Sequence, residues 1–362
     1  MVKRIAPALG LFFLSPLIGE FLLGNLPVTM LVALITLAPL YGGGALLIRE
    51  LARRRGAGWP GIVLLAVAYG LIEEGLVTRS LFNPGYAGMD LTSYAWIPGV
   101  EVSAWWASFV LGGVHAAGSI CVPIAVTEAL VPDRAAQPWL RLPGLVTTGV
   151  LFVAGAVATA LFDPSAPRLS IAQLAGVIVP AGLLIVLALR RRRPAAGLPG
   201  QAPGPWPALG FSLAAGAVFW AAAMALDTLG AWPVVAVNLA VYATVCGLVA
   251  RWSRRAGWGR GQVFALAAGG VLTYAWHGFA QPPAVPVEPA IDLAGNAVFA
   301  LAAVALLAVA ATRLRSPGLA GGREDATPAG GRSCGPTSPT RASRSRSPRS
   351  SRPTSVASRA AG

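Results

Sequence analysis

Apolar residues fill this chain in long unbroken runs, separated by short segments that carry its arginines, prolines and glycines. A helix rising 1.5 Å per residue needs about 20 residues to cross a hydrocarbon core. Ten windows meet that length, near residues 6–24, 27–48, 60–78, 104–130, 142–162, 169–189, 207–228, 231–250, 261–280 and 291–312. The pattern predicts an all-α, polytopic membrane protein. Lys3 and Arg4 precede the first run as they would in a secretory signal, but Glu20 interrupts it and no clean small-residue cleavage site follows, so the run is expected to be a retained first helix.

Basic residues test the count, because lysine and arginine concentrate in cytoplasmic loops. With the N-terminus inside, ten crossings place all 28 lysines and arginines except Arg79 and Arg168 on the cytoplasmic side. Both termini are therefore expected in the cytoplasm. Composition agrees, with 55% hydrophobic residues, 12% charged residues and a mean hydropathy of +0.65, far from a soluble norm of about 25% charged. Cys121, Cys246 and Cys334 stand singly, without the paired spacing of a thiolate metal site or a disulfide framework.

Polar residues are unevenly spread, and the spread suggests three regions. Residues 1–131 form a predicted four-helix membrane bundle that carries most of the polar side chains, and 132–315 a six-helix apolar region. Residues 316–362 are a predicted disordered cytoplasmic tail rich in Arg, Ser and Pro. The tail inflates the net charge of +14. That charge is accordingly no nucleic-acid footprint, and the expected partner is the lipid bilayer. The run Gly42–Gly44 lacks the lysine and preceding strand of a phosphate loop, so nucleotide binding is not indicated.

The chemistry of the chain is concentrated in LIEEGLVTRS, where Glu73 and Glu74 interrupt the third apolar run. A charged side chain at mid-membrane costs about 2.5–3.5 kcal/mol on insertion scales, so such residues persist where they pair, line water or react. Both lie about 20 Å from the inner face at helical rise, in the outer half of the bilayer. Arg79 follows at the outer end, and Tyr69 precedes the pair by one turn. Glu20, after Ser15 and Pro16, reaches a similar depth on the first helix, while His115 arrives near mid-membrane on the fourth with Ser119 one turn on. Successive helical residues point about 100° apart, so only one of the two glutamates need face a given cavity, leaving the other free to pair with Arg79 or another helix. Arg49, Glu50 and Glu128 read as snorkelling side chains or interfacial ion pairs at the inner surface. His277, at the outer end of the ninth run, reads as structural.

Glu73 and Glu74 followed by Arg79, with His115 on the next helix, resemble the CAAX-protease and bacteriocin-processing (CPBP) family of intramembrane proteases. The family pattern is similar to EExxxR, then FxxxH, then a third motif built on His and Asn or Asp. This chain has EExxxxR, Phe109 six positions before His115, and His277 with Gln281 in HGFAQ. The resemblance spans about 60 residues, helices 3 and 4. It implies a catalytic set of Glu73, Glu74, His115 and Arg79, in which a glutamate activates water, the histidine assists and the arginine holds the acid pair. Glu20, Ser119 and Tyr69 would line the cavity. It further implies a membrane-embedded or lipid-linked peptide substrate and a bacterial plasma membrane location. No cofactor is expected, and the sequence leaves metal dependence and oligomeric state open. Two other classes fit the same residues. Ten helices with Pro16 and Pro180 resemble the 5+5 inverted-repeat carriers, which would make the chain a proton- or solute-coupled transporter. A non-catalytic subunit of a membrane complex would turn the buried charges into intersubunit pairs.

Overall fold

Why one predicted crossing is less apolar than the rest becomes clear from the packing. The computed structural model describes residues 2–161, 166–190 and 196–315. The predicted tail at 316–362, Cys334, Asp163 and Arg191–Arg193 fall outside the described residues. Nine helices among the described residues are long and apolar enough to cross a membrane: α1 (Ile5–Leu22), α2 (Val28–Arg55), α3 (Gly58–Val77), α4 (Ala104–Leu130), α5 (Leu142–Ala160), α6 (Ile171–Leu189), α7 (Pro205–Met224), α8 (Ala231–Trp252) and α10 (Pro289–Arg315). The tenth expected crossing is α9, Arg260–His277. It falls short of the others in apolarity because it faces protein rather than lipid, packing against α7, α10 and the inner half of α4, with Gln262, Thr273, Tyr274 and His277 buried. The chain is an all-α, multi-pass membrane protein.

Helix directions follow from small residues that let backbones approach, as in membrane bundles generally. On α3 a Cβ added at Gly75 would lie 2.5 Å from Val177 of α6, and one at Gly61 3.1 Å from the Ala188 carbonyl. Rising positions on α3 thus meet falling positions on α6, and the two run antiparallel. Between α7 and α9 the order is the reverse, since Gly216 abuts Thr273 and Gly269 abuts Ser212. Parallel neighbours must cross in the same sense, so α9 traverses the layer beside α7, as ten crossings require. Elsewhere the surface is lipid-like. Val146, Val150, Val153 and Val157 on α5, and Ile178, Val179, Leu183 and Val186 on α6, are exposed, an arrangement that only an apolar solvent favours.

Four of the helices that meet in the first half of the chain are widened to π-helical geometry over Leu17–Leu22, Ala38–Gly42, Glu73–Val77 and Phe109–Cys121. Prolines explain part of this, because Pro16 and Pro39 remove a backbone donor and displace the preceding carbonyl. At Glu73 the shift is fixed differently: the Thr78 amide donates to the Glu73 carbonyl at 2.9 Å, five residues back. Single π turns are a frequent feature of functional sites. An outer connection between α3 and α4 carries the described hairpin, β1 (Trp96–Ile97) paired antiparallel with β2 (Val102–Ser103).

The inner end is closed by a charged network in which the expected pairs form but do not snorkel. Arg49 is fully buried, with Nη1 donating to Glu50 at 2.8 Å, Nε to Glu128 at 3.1 Å and Nη2 to the Ala135 and Gln137 carbonyls, both at 2.8 Å. Its guanidinium stacks on Trp139, 3.4 Å from the ring centroid. Arg53 makes a two-pronged bond to Glu128 at 2.8 and 2.5 Å. Glu50 returns the tie by accepting the Trp139 amide at 2.7 Å. The network joins α2, α4 and the 131–140 connection, so removing Arg49 leaves buried carboxylate and carbonyl groups unpaired. Arg49→Ala is expected to cost about 3–5 kcal/mol, read as a marked fall in the thermal unfolding midpoint of the detergent-solubilised chain, whereas Arg54→Ala, half-exposed, should change it little.

Candidate functional site

Glu73 and Glu74 begin the π-helical turn of α3, and its wider winding reduces the angle between successive side chains. Both carboxylates therefore reach the same atom. His115 Nε2, from the π-helical part of α4, lies 2.6 Å from Glu74 Oε1 and 3.0 Å from Glu73 Oε2. Both glutamates thus meet His115, although helical spacing required only one of them to face a given cavity. All three side chains are buried, at 3%, 5% and 2% exposure. Gly70 makes the approach possible, since it sits against the His115 Cβ where a larger residue would hold α3 and α4 apart.

The two glutamates are differently held. Glu74 Oε1 takes the hydrogen bond of His115, while Oε2 accepts from the Thr78 hydroxyl at 3.2 Å and closely from the Ser80 hydroxyl. Ser80 in turn accepts from Trp106 Nε1 at 2.9 Å. Glu73 Oε2 faces His115 off the hydrogen-bond axis and has no donor of its own. Glu74 is therefore fixed and Glu73 comparatively free. His115 Nδ1 and the Tyr69 hydroxyl are likewise buried without a hydrogen-bond partner.

A second acidic station lies beside the first. Tyr41, on the π turn of α2, donates to Glu20 Oε1 at 2.5 Å, and Asn25 donates to Glu20 Oε2 at 2.6 Å. The Tyr41 ring is 5.7 Å from the His115 ring, and the Tyr69 ring 6.0 Å from it. Glu20, Tyr41, Tyr69, Glu73, Glu74 and His115 thus form one polar interior spanning α1 to α4. Ser119 stands at its edge, donating to its own helix at Val114 O and receiving the Ser15 hydroxyl on its carbonyl at 2.5 Å. It abuts Gly19 without a bond to the cluster.

Arg79 is the clear departure. Expected to hold the acid pair, it adopts a left-handed backbone (φ 58°) just after the π turn. Its guanidinium points to the opposite side, donating to the Ala160 carbonyl at 3.1 Å and the Pro167 carbonyl at 3.4 Å. Arg79 pins the α5–α6 connection. His277 stacks on Trp220 with centroids 3.6 Å apart and meets Gln281 at 3.2 Å, remote from the cluster. Tyr41, Thr78, Ser80, Trp106 and Asn25 were not among the site residues expected from the sequence. For Thr78 and Ser80 the signal was present, four and six residues after Glu74, but only the π register brings both onto one carboxylate.

Three ligand-type atoms, one each from Glu73, Glu74 and His115, lie within 4.8 Å of one another. Among the described residues no lysine or arginine forms an ion pair with either glutamate. Two carboxylates face one imidazole, and between them only one N–H is available on Nε2.

These features define a multi-pass membrane protein with a buried acid–acid–histidine cluster in its first four helices. A family model described as an uncharacterized membrane protein family matches residues 9–316. The chain belongs to that family. No curated protein and no solved structure matches it.

The bonds around Ser80 predict their own test. Ser80→Ala leaves a Glu74 oxygen and the Trp106 indole N–H short of a partner in a buried setting, an expected loss of about 1–3 kcal/mol in thermal unfolding. Ser80→Thr, which keeps the hydroxyl, should recover part of it.

Proposed function

We propose that the chain is an intramembrane hydrolase that activates water at the Glu73–Glu74–His115 cluster, as the resemblance to the CPBP proteases suggests. The observation that carries the reading is the unequal holding of the two carboxylates: Glu74 is tied by three side-chain donors, whereas Glu73 Oε2 meets His115 only as an ion-pair contact and has no hydrogen-bond donor among the described residues. A general base needs lone pairs that are not already committed. Glu73 supplies them, while Glu74 orients His115. Glu73 takes a proton from water, the hydroxyl oxygen bonds to the substrate carbonyl carbon, and the proton passes to the departing nitrogen as the C–N bond breaks. The Tyr69 hydroxyl, buried and without an acceptor, is a donor available to the oxyanion formed in the first step. Arg79 has no part in this scheme beyond holding the α5–α6 connection.

The cluster lies between helices in the outer half of α3, and the CPBP resemblance gives its substrate as a membrane-embedded or lipid-linked peptide. The alternative reading, a proton-coupled carrier, draws on the same buried carboxylates and on the π-widened helices around them, which would give a bound ion or solute several backbone carbonyls.

The two are separated by one experiment. The full chain in liposomes is incubated with a pool of labelled transmembrane and lipid-linked peptides and the products are read by mass spectrometry, in parallel with proton flux under a pH gradient. Cleavage of at least one peptide is expected, reduced about 100-fold or more by Glu73→Gln and less severely by Tyr69→Phe. Cleavage unaffected by Glu73→Gln overturns the assignment, as does Glu73-dependent proton flux without cleavage.

A further inference from the structure

Charge balance at the cluster leads beyond its use of water. An isolated carboxylate in a low-dielectric interior carries a penalty of several kcal/mol unless an opposite charge meets it. At the inner end of the same bundle that condition is satisfied with excess, because Glu50 and Glu128 share Arg49, Arg53 and Arg54. In the cluster it is not: a protonated His115 offsets one of the two carboxylates, and Arg79, the nearest arginine in sequence, turns Nη1 and Nη2 to the Pro167 and Ala160 carbonyls and forms no ion pair with either glutamate. Glu73 Oε2, buried and turned toward His115 Nε2, has no hydrogen to accept. Glu73, Glu74 and His115 each place one ligand-type atom within 4.8 Å of the others; with the imidazole hydrogen on Nδ1 rather than Nε2 all three present lone pairs, and a cation can take the place of the hydrogen between His115 Nε2 and Glu74 Oε1.

We propose that Glu73, Glu74 and His115 bind a divalent first-row metal ion of the Zn2+ class. Two carboxylate oxygens and one imidazole nitrogen are the mixed O/N donors that zinc, manganese and ferrous iron accept, and two positive charges neutralise both glutamates with His115 neutral. Each ligand comes from a widened turn, and the ligand atoms lie within 4.8 Å of one another, so a modest side-chain adjustment brings all three to bonding distance. Three protein ligands leave a coordination position for water, the arrangement of catalytic rather than structural zinc. The proposal rests on the hydrolase reading for its purpose only. With the ion in place, water is acidified by the metal, and Glu73 can ligate through Oε2 and retain Oε1 for the proton.

The test uses the full chain, purified without an affinity tag in detergent, stripped with chelator and desalted. Zn2+ or Co2+ is then added alone, bound metal is measured by mass spectrometry, and the visible spectrum of the Co2+ form is recorded. Wild-type protein is expected to retain about one ion per chain, with Co2+ absorption of a low-coordinate site. His115→Gln and Glu73→Gln should each weaken binding at least 10-fold, while Glu20→Gln, one station away, should keep it. Equal retention by wild type and both cluster variants overturns the proposal, since it places the metal elsewhere, and so does no retention by folded wild-type protein. Failure of the hydrolase reading looks different: peptide cleavage that survives chelation but is lost in Glu73→Gln removes the metal and leaves the hydrolase, whereas a bound ion with no cleavage of any peptide leaves the metal and removes the hydrolase.

Discussion

Two carboxylates directed at one imidazole nitrogen, inside a membrane and without an arginine, are the constraint around which the first four helices are arranged. Burying such a group is costly, and the surrounding structure shows where the cost is met. Thr78 and Ser80 satisfy Glu74, Trp106 fixes Ser80, and Gly70 brings α4 close enough for His115 to reach both acids. The π-helical turns belong to the same design, because a regular α-helix would direct Glu73 and Glu74 to different neighbours. What the structure leaves unmet is Glu73 Oε2, which has no hydrogen-bond donor, and that unmet acceptor is the functional signal.

The inner network offers a comparison within one molecule. Arg49 and its partners are equally buried, yet every donor on that guanidinium side has an acceptor and Trp139 covers its face. Such closure is what a structural ion network needs. The cluster at Glu73 has the opposite character, with Glu73 Oε2, His115 Nδ1 and Tyr69 Oη lacking partners. Buried polar atoms without partners are rare and call for a ligand, a water or a proton in transit. The contrast separates a device that holds helices together from one arranged to receive something.

Much of this was legible in the chain. Apolar runs and the arginine alternation located the crossings, because lipid imposes a length and a charge bias that no soluble fold requires. The cost of Glu73, Glu74, Glu20 and His115 in apolar surroundings marked them as residues worth following. Contacts between helices were not legible, since no local pattern tells α1 and α2 to bring Glu20 and Tyr41 beside His115. Arg79 shows the limit most clearly. Its spacing from the acid pair suggested a salt bridge, but a single left-handed residue after a π turn sends its side chain to the carbonyls of Ala160 and Pro167. Backbone register, not residue type, decided that contact. The reduced apolarity of α9 likewise became intelligible only from its neighbours.

The central claim is that Glu73 is a buried carboxyl left without a hydrogen-bond donor for function, while Glu74 is part of the framework. The most direct measurement is the thermal unfolding midpoint of metal-free Glu73→Gln and Glu74→Gln proteins at neutral pH. The account predicts different outcomes: Glu73→Gln replaces a buried carboxyl whose Oε2 accepts no hydrogen bond and leaves the midpoint unchanged or raises it, as replacement of functional residues often does. Glu74→Gln breaks the bonds from His115, Thr78 and Ser80 and lowers it. A fall of equal size in both variants would contradict the account, because it would make the two glutamates equivalent parts of a structural network.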